Sequence, residues 1–198
     1  MRRHNALHSM SAVILGVIAT CLLVNSAFAE PKNIRHPKSR PIIMWIDPLD
    51  FLPGDSSVNT SYNAVSSGVG SGLSGLIIQS TTTGDTGSSG GNKVVEKGIQ
   101  VPPGYLLKGV RVCYELANAR SFITQIRLAQ VQNPPSSATV LLDDATDQTN
   151  AGPLCVNSQA TSIDPGIGGV LLSFRVNFAD TSDRIVVRAV GLNLEPKP

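Results

Sequence analysis

Histidine and cysteine are scarce in this sequence. Among 198 residues there are three of each, and His4, His8 and Cys21 lie in an N-terminal segment that we expect to be removed. His36 then remains as a single histidine, in a proline-rich stretch. A Ser-His-Asp triad needs its histidine on a rigid element, and zinc sites draw on His and Cys. The sequence therefore argues against both kinds of site, and no motif nominates a catalytic residue.

Charged and aromatic residues are also sparse. Charged residues make up 15% of the chain and aromatic residues 5%, whereas soluble proteins average roughly 25% charged residues. Such a composition argues against a nucleic-acid binder that works through a basic surface. The hydrophobic fraction is 41%, which is ordinary, so the chain can bury a core and is not disordered throughout.

The N-terminus has the layout of a secretory signal peptide over residues 1–29. Arg2 and Arg3 precede an apolar run, and Ala27-Phe28-Ala29 forms an A-x-A cleavage motif. We predict cleavage after Ala29 and an exported protein, periplasmic or extracellular, with no membrane span in the mature chain. A membrane anchor is one alternative, but the run is shorter than the roughly 20 residues that a spanning helix needs. A lipid-modified Cys21 is the other.

The two remaining cysteines are Cys113 and Cys155. An even pair in a chain bound for an oxidising compartment predicts one disulfide. The pair lacks the C-x-x-C spacing of redox-active sites, so its expected role is structural. Closing a loop of this size contributes about 4 kcal/mol in the chain-entropy model. Because Cys113 falls on the polar face of its strand, we expect the disulfide to secure a loop rather than fill the core.

A short basic arm is predicted to begin the mature chain, over residues 30–53. An apolar run at 42–46, bounded by prolines, is a candidate edge strand. Basic residues precede it: Lys32, Arg35, Lys38 and Arg40. Contact with an anionic envelope surface is one interpretation of this cluster. A solvated tail is the simpler one, because so few charges bind weakly at physiological salt.

A tract rich in Gly, Ser and Thr follows over residues 54–92, with Asp55 and Asp85 as its only charges. We expect a flexible segment in which an apolar island forms one short strand near 75–80 and a mobile loop follows it. Residues 93–198 carry alternating apolar positions and are expected to form the core domain.

Period-two alternation dominates this core region. The clearest run is Val170, Leu172, Phe174, Val176 and Phe178, with other residues between them pointing the opposite way. No segment of the predicted mature chain shows a sustained helical stripe, so helix should be scarce. We predict an all-β fold, a single antiparallel β-sandwich of the immunoglobulin-like or jelly-roll kind with about seven to nine strands. A closed barrel is the alternative.

Two local features of the strands are predicted. Pro102-Pro103-Gly104 is a turn sequence that places Gly104 at positive φ, which indicates a β-hairpin between the flanking strands. Near the C-terminus the apolar phase shifts after Ala189. We predict a β-bulge near Gly191 to absorb that shift.

The densest group of oxygen ligands is Asp143, Asp144 and Asp147, with Asn150 just beyond. Calcium is the natural hypothesis, because it accepts six to eight oxygens with loose geometry. The spacing does not match an EF-hand loop, and Asp and Asn also favour turns for their own backbone hydrogen bonds. These residues are therefore weak calcium candidates, and we predict no other cofactor.

Aromatic residues are the usual platforms for sugars. Three of them are predicted to lie in the core by their position in alternating runs: Tyr114, Phe174 and Phe178. The candidates for exposed platforms are Trp45, Tyr62 and Tyr105, which are scattered along the chain. Trp45 suits stacking on a sugar ring, but anchoring of the arm to the main domain is the more ordinary role for a single tryptophan.

Three functions are consistent with these patterns. We expect an exported, non-enzymatic β-sandwich that binds an envelope component, a glycan or a small ligand. The first alternative is a self-associating structural protein, since exported two-cysteine sandwiches resemble the subunits of pili and coats in size and low charge. The second is a glycan-acting enzyme with a carboxylate pair, which needs no histidine.

Overall fold

A computed structural model describes residues 40–62, 75–132 and 137–198. The predicted signal peptide, its cleavage site and residues 30–39 of the basic arm lie outside the described residues, so these remain predictions. None of the helical structure in the described ranges is long and apolar enough to cross a bilayer.

The described residues form eleven strands and one short 3-10 helix, Pro48–Asp50. The strands are β1 (Ile42–Ile46), β2 (Leu52–Pro53), β3 (Val58–Tyr62), β4 (Leu76–Ser80), β5 (Val94–Ile99), β6 (Tyr105–Leu116), β7 (Phe122–Gln132), β8 (Ala138–Asp144), β9 (Leu154–Asn157), β10 (Gly168–Asn177) and β11 (Ile185–Pro196).

These strands form two antiparallel sheets. The six-stranded sheet has the order β3-β4-β11-β6-β9, and β1 pairs with β11 beside the end of β4. The five-stranded sheet has the order β2-β5-β10-β7-β8. The predicted β-sandwich is therefore confirmed, and the alternative of a single closed barrel is wrong because the strands divide between two separate sheets.

The core lies between the inner faces of the two sheets. The alternating run of β10 places Leu172, Phe174 and Val176 in it, and all three are fully buried. Tyr114 from β6 and Phe178 after β10 are buried as well, as predicted. Phe51 stacks on Phe174 with 5.0 Å between ring centroids, so the segment after the 3-10 helix also packs into the core.

The strand count exceeds the expected seven to nine. The additional strands are β2, β3 and β9, which are two, five and four residues long. They were missed because their sequences are short and largely polar or exposed, so no alternation marks them. The region 93–198 does not form the fold alone, since β1 to β4 extend both sheets.

The turn at Pro102-Pro103-Gly104 connects two sheets instead of closing a hairpin. Gly104 has φ +83°, and Tyr105 N donates to Pro102 O at 3.3 Å, so the predicted turn is present. However, β5 belongs to the five-stranded sheet and β6 to the six-stranded sheet. The hairpin prediction is wrong because an alternating pattern identifies a strand's inner face but not its neighbours.

The predicted bulge in β11 lies slightly earlier than expected. Val187 pairs with Tyr114 and Ala189 with Cys113, so Arg188 is the extra residue. Its insertion lets Val187 and Val190 both face the core, where both are fully buried. The apolar phase shift predicted an irregularity near Gly191, and the extra residue lies three positions before that glycine.

The disulfide between Cys113 and Cys155 is confirmed. The two residues are directly opposite each other in the ladder between β6 and β9. Cys113 lies between the buried residues Val112 and Tyr114 and therefore points to the outer face. The disulfide thus secures the short edge strand β9, which lies in what was predicted to be a loop.

Candidate functional site

An open cleft of about 410 Å³ lies on the outer face of the five-stranded sheet. Its floor comes from β7 and β10. Its walls come from the loop before β5, through Asp85, and from the loop after β8, through Ala145 and Asp147. The two loops extend from strands on opposite sides of the β10–β7 pair, so the cleft runs between them.

A β-bulge shapes the floor of the cleft. Arg175 pairs with Gln125 and Val176 pairs with Ile123, so Thr124 is an extra residue in β7. A bulge changes the direction of neighbouring side chains. Two consecutive residues, Thr124 and Gln125, therefore both line the cleft.

Phe122, Arg175 and Asn177 complete the floor. Phe122 and Asn177 are paired residues on neighbouring strands, so their side chains share the outer face. The floor thus combines one aromatic ring with amide, hydroxyl and guanidinium groups. This mixture offers an apolar surface together with donors and acceptors in fixed positions.

A buried lysine holds the first wall in place. Lys93 is fully buried, and its Nζ donates to the carbonyl oxygens of Thr82, Thr83 and Gly84 at 2.5, 2.8 and 3.0 Å. Burial lowers the pKa of Lys93, and the negative charge of Asp85 partly opposes this effect. The loop expected to be mobile is therefore organised around a buried cation.

Asp55 holds the outer half of the same loop. Its carboxylate accepts from the backbone N–H of Ser57 at 2.8 Å, of Ser88 at 3.1 Å and of Ser89 at 3.4 Å. The Ser57 hydroxyl donates to it at 2.5 Å. These bonds lower the pKa of Asp55 far below its ordinary value, with the Ser57 hydroxyl as the largest cause. The two charges of the Gly-rich tract are thus both used in building the cleft wall.

The second wall is held by Asp144. This residue is buried, and its carboxylate accepts from Thr146 N at 3.1 Å and from Gln159 N at 2.8 Å. The loop then runs beside β7, where Gln148 N donates to Ile123 O at 2.9 Å. Asp144 therefore has a structural role, because it satisfies backbone donors at the base of the wall.

Charges within the cleft are partly compensated. Arg175 Nη2 and Asp85 Oδ2 form a salt bridge of 2.6 Å across the floor and the first wall. Asp147 adds one more carboxylate. The cleft therefore carries a small excess of negative charge.

Two buried polar atoms of the cleft residues are left without a protein partner. They are Thr124 Oγ1 and Arg175 Nε, neither of which has a hydrogen-bond partner within the described parts of the chain. Leaving such a group unpaired costs about 1–3 kcal/mol. Both atoms have almost no surface accessible to solvent, so they lie beneath the floor of the cleft and not on its surface.

The calcium candidates do not converge. Asp143 accepts from Gln125 Nε2 at 2.5 Å and from Arg127 Nε at 3.0 Å, whereas Asp144 points inward and Asp147 lines the cleft. Asn150 Oδ1 accepts from Gly152 N at 3.1 Å. Across the described residues, no three His, Cys, Asp or Glu side chains are grouped so as to hold a metal ion. Consecutive residues of a strand face opposite sides, which separates Asp143 from Asp144.

The three exposed aromatic candidates lie on different strands. Trp45 is 54% exposed on β1 and Tyr62 is 64% exposed on β3, while Tyr105 begins β6 and packs partly against the core. None of them lines the cleft, whose aromatic residue is Phe122. Sequence reasoning therefore missed Phe122, Thr124, Gln125 and Arg175.

One signal for these residues is present in the sequence. Polar residues alternate with buried apolar ones along β10, which places Arg175 and Asn177 on the outer face. What the alternation does not show is the bulge at Thr124 or the return of two distant loops to this face, because both depend on tertiary pairing.

Comparisons with known proteins identify structures of similar fold but no family to which the chain can be assigned. No protein-family model matches the chain, and no curated protein sequence does. The structure is similar to the CBM22-1–GH10 modules of the N-terminal endo-1,4-β-D-xylanase 10B of Clostridium thermocellum, complexed with xylohexaose. The TM-score is 0.52 with 8% identity, over 82% of this chain and 29% of that one.

A second similar structure is the CBM22-1 xylan-binding domain of Xyn10C from Paenibacillus barcinonensis. Here the TM-score is 0.51 with 9% identity, over 82% of this chain and 100% of that domain. The chain thus covers the whole of an isolated module but under a third of the two-module xylanase structure. At this level of identity the likeness shows a shared β-sandwich fold.

Proposed function

We propose that the protein is a non-catalytic carbohydrate-binding module that holds a neutral polysaccharide in the cleft of its five-stranded sheet. The observation that carries the proposal is the lining of this open cleft, in which an aromatic ring, Phe122, lies among the polar side chains of Gln125 and Asn177. A sugar offers adjacent hydroxyl groups that would hydrogen-bond to such amides. Phe122 beside them supplies the apolar surface that a sugar ring's C–H face needs.

The cleft can hold part of a sugar chain while the rest extends into solvent. It is open and has a volume of about 410 Å³, within the range of roughly 300–1,000 Å³ found for small-molecule pockets. The two similar structures include a xylohexaose complex and a xylan-binding domain. Xylan and xylohexaose are therefore the first probes to use.

The charge of the cleft favours a neutral ligand. Arg175 is already paired with Asp85, and Asp147 remains as a further negative charge in the lining. A polyanion would meet this carboxylate, and among the described residues of the lining no unpaired cation offsets it. We therefore expect neutral glycans to bind better than uronic-acid polymers.

Export is part of the proposal. The predicted signal peptide and the Cys113–Cys155 disulfide are both typical of proteins in oxidising compartments. A polysaccharide of the cell envelope or of the surroundings would be met there. The site of action is thus periplasmic or extracellular.

A glycan-acting enzyme is the second candidate, because two carboxylates lie on opposite walls of the cleft. Asp85 and Asp147 are the residues concerned. Hydrolysis requires one of them as a general acid that can reach the sugar, whereas Asp85 is held in a salt bridge of 2.6 Å to Arg175. The arrangement therefore favours binding over hydrolysis.

The test is a binding assay with a matched pair of variants. Gln125 and Arg127 both donate to Asp143, but only Gln125 lines the cleft. We expect residues 30–198 to bind xylan in affinity electrophoresis and xylohexaose in calorimetry. Gln125→Ala should weaken binding about tenfold, which corresponds to the loss of one good hydrogen bond, and Arg127→Ala should leave it unchanged.

Equal losses in the two variants would contradict a site at the cleft. Absence of binding across xylan, a neutral β-glucan and a mannan would contradict the function. Release of reducing ends from xylan by wild type, abolished in an Asp85→Asn/Asp147→Asn variant, would favour the enzyme instead.

A further inference from the structure

The sandwich face opposite the cleft carries the chain's single tryptophan. Trp45 lies on β1 of the six-stranded sheet, and 54% of its surface is exposed. Its neighbours along the strand, Met44 and Ile46, are partly buried against the core. Alternation therefore points Trp45 outward, so it does not anchor the arm by insertion into the core.

A glycine lets the indole ring lie close to the sheet. Gly191 is the residue of β11 paired with Trp45. A Cβ at this position would lie 3.2 Å from Trp45 Cε3 and Cζ3, and 2.6 Å from Ile43 Cγ2. The ring thus rests on the main chain of β11 where any larger residue would displace it. More than half of the tryptophan still faces solvent.

Two planar polar side chains form a row with Trp45 across the sheet. Gly191 pairs with Arg111 on β6, and Arg111 pairs with Asn157 on β9. Directly paired residues share a face, and neighbouring strands are about 4.8 Å apart. The row therefore runs from an aromatic ring to a guanidinium and an amide. Arg111 Nη1 lies 3.5 Å from Asn157 Oδ1.

A shallow groove of about 230 Å³ adjoins this row along the strands. It is lined by Ile43 and Asn193 beside Trp45, and by Pro41, Lys108 and Glu195 further on. Ile43 and Asn193 are directly paired residues of β1 and β11, and their side chains share the outer face. The apolar surface thus continues from Trp45 along β1, with polar groups on one side of it.

We propose that this surface is a second polysaccharide-binding site, which we call the Trp45 platform: Trp45, Ile43, Arg111, Asn157 and Asn193. A sugar ring has an apolar C–H face and polar edges. The exposed indole would cover the first, while Arg111, Asn157 and Asn193 would hydrogen-bond the second. The ligand class is a neutral glycan chain laid flat on the sheet.

The polar neighbours favour a glycan over a protein partner. A protein docked through an apolar patch would bury Arg111 and Asn157 and would have to satisfy them. A glycan is rich in hydroxyls that do so anywhere along its length. The row from Trp45 to Asn157 also holds no carboxylate, so nothing in it repels the electron-rich oxygens of a sugar.

The inference rests on the proposed function for its ligand class, but it concerns a separate surface. The cleft and the Trp45 platform lie on opposite outer faces of the sandwich. One molecule would therefore contact two chains of an insoluble polysaccharide, or two parts of one chain. Linked binding events of this kind strengthen attachment without new contacts at either site.

The single tryptophan provides a direct readout. We would record the indole emission of residues 30–198 during titration with xylohexaose and soluble xylan, in wild type and in Gln125→Ala. The expected result is a blue shift or quenching in both proteins, because the platform is occupied independently of the cleft. A shift in wild type that disappears in Gln125→Ala would overturn the independent site.

Pull-down on insoluble xylan provides the second readout. Trp45→Ala should weaken attachment about 3- to 10-fold, the equivalent of one aromatic stacking contact, and Trp45→Tyr should retain most of it. Unchanged attachment of Trp45→Ala, with unchanged indole emission in wild type, would overturn the platform and leave the cleft intact. If the wild type does not bind xylan at all, both proposals are overturned. The failure of the platform alone is therefore distinguishable from the failure of the proposed function.

Discussion

Two buried hydroxyl groups of this protein differ in their surroundings. Thr124 Oγ1 and Tyr114 Oη are both buried without a hydrogen-bond partner in the described residues. Tyr114 lies in the core, where burial raises the pKa of its hydroxyl. Thr124 lies at the cleft. Each unpaired hydroxyl costs the fold free energy, but of the two residues only Thr124 lines the cleft.

A matched pair of substitutions tests this difference. Thr124→Val keeps the side-chain shape and removes the hydroxyl. The free energy of unfolding should stay unchanged or rise by up to about 1–3 kcal/mol, because an unsatisfied buried group is lost. Xylan binding should weaken, as measured by affinity electrophoresis.

Tyr114→Phe is the control for this substitution. Stability should respond in the same direction in urea unfolding, while xylan binding stays at the wild-type level. A destabilised Thr124→Val with intact binding would show that the threonine hydroxyl serves the fold and not the ligand.

Among the secondary-structure elements, the loop before β5 departs most from its sequence. A Gly, Ser and Thr composition is typical of flexible linkers, yet this loop pairs with the residue that follows β10 through the bridge between Gly84 and Phe178. It then returns to donate from Lys93 N to Asp85 O at 2.8 Å. The ordering comes from Lys93 at the end of the loop and from Asp55 in a separate segment, not from the loop's own composition.

Lys93→Met tests how far the buried lysine holds the loop. Three backbone carbonyls lose their donor, so the free energy of unfolding should fall by about 2–3 kcal/mol. Xylan affinity should fall as well, because Asp85 and its wall lose support. Urea unfolding and affinity electrophoresis measure the two effects.

Lys97→Met is the matched control. Lys97 Nζ also donates to a backbone carbonyl, Asp47 O at 3.1 Å, and to Asp50 at 2.5 Å, but at the surface. Its loss should cost less than about 1 kcal/mol and leave xylan binding unchanged. Equal effects of the two methionine variants would refute the buried cation as the organiser of the loop.

On the scale of the whole molecule, several carboxylates link stability to pH. The pKa of Asp55 is lowered chiefly by the Ser57 hydroxyl, that of Asp164 by Lys197, and that of Asp180 by Ser182. In each case the folded state favours the ionised form more than the unfolded chain does. These groups therefore stabilise the fold at neutral pH and lose that effect in acid.

The expected readout is the decline of stability as the pH becomes acidic. The contribution of Asp55 is fully present above its ordinary pKa of 3.8 and disappears as the pH falls from there towards its lowered folded value. The melting temperature of the wild type should fall steeply as the pH decreases through this range. Asp55→Asn should melt lower at neutral pH and show a shallower acid decline. An equally steep decline of the melting temperature in the two proteins would contradict the role of Asp55.

Much of the molecule could be predicted from residue patterns. The alternation in β10 predicted its buried face, and the even pair Cys113 and Cys155 predicted the disulfide. Both follow from local chemistry, since strand geometry and thiol pairing need little more than spacing and compartment. Short strands such as β3 and β9 were missed because partners in the sheet, and not their own residues, hold them in place.

The sequence by itself determined the fold class, the disulfide and the apolar faces, because these depend on period-two spacing and on which residue types are present. Only the tertiary structure decided the sheet to which each strand belongs, the bulge that directs Thr124 and Gln125 outward, and the place of Asp85 opposite Asp147. It also separated the calcium candidates and left Trp45 exposed on Gly191. These outcomes depend on pairings between residues far apart in the chain, which no local pattern contains.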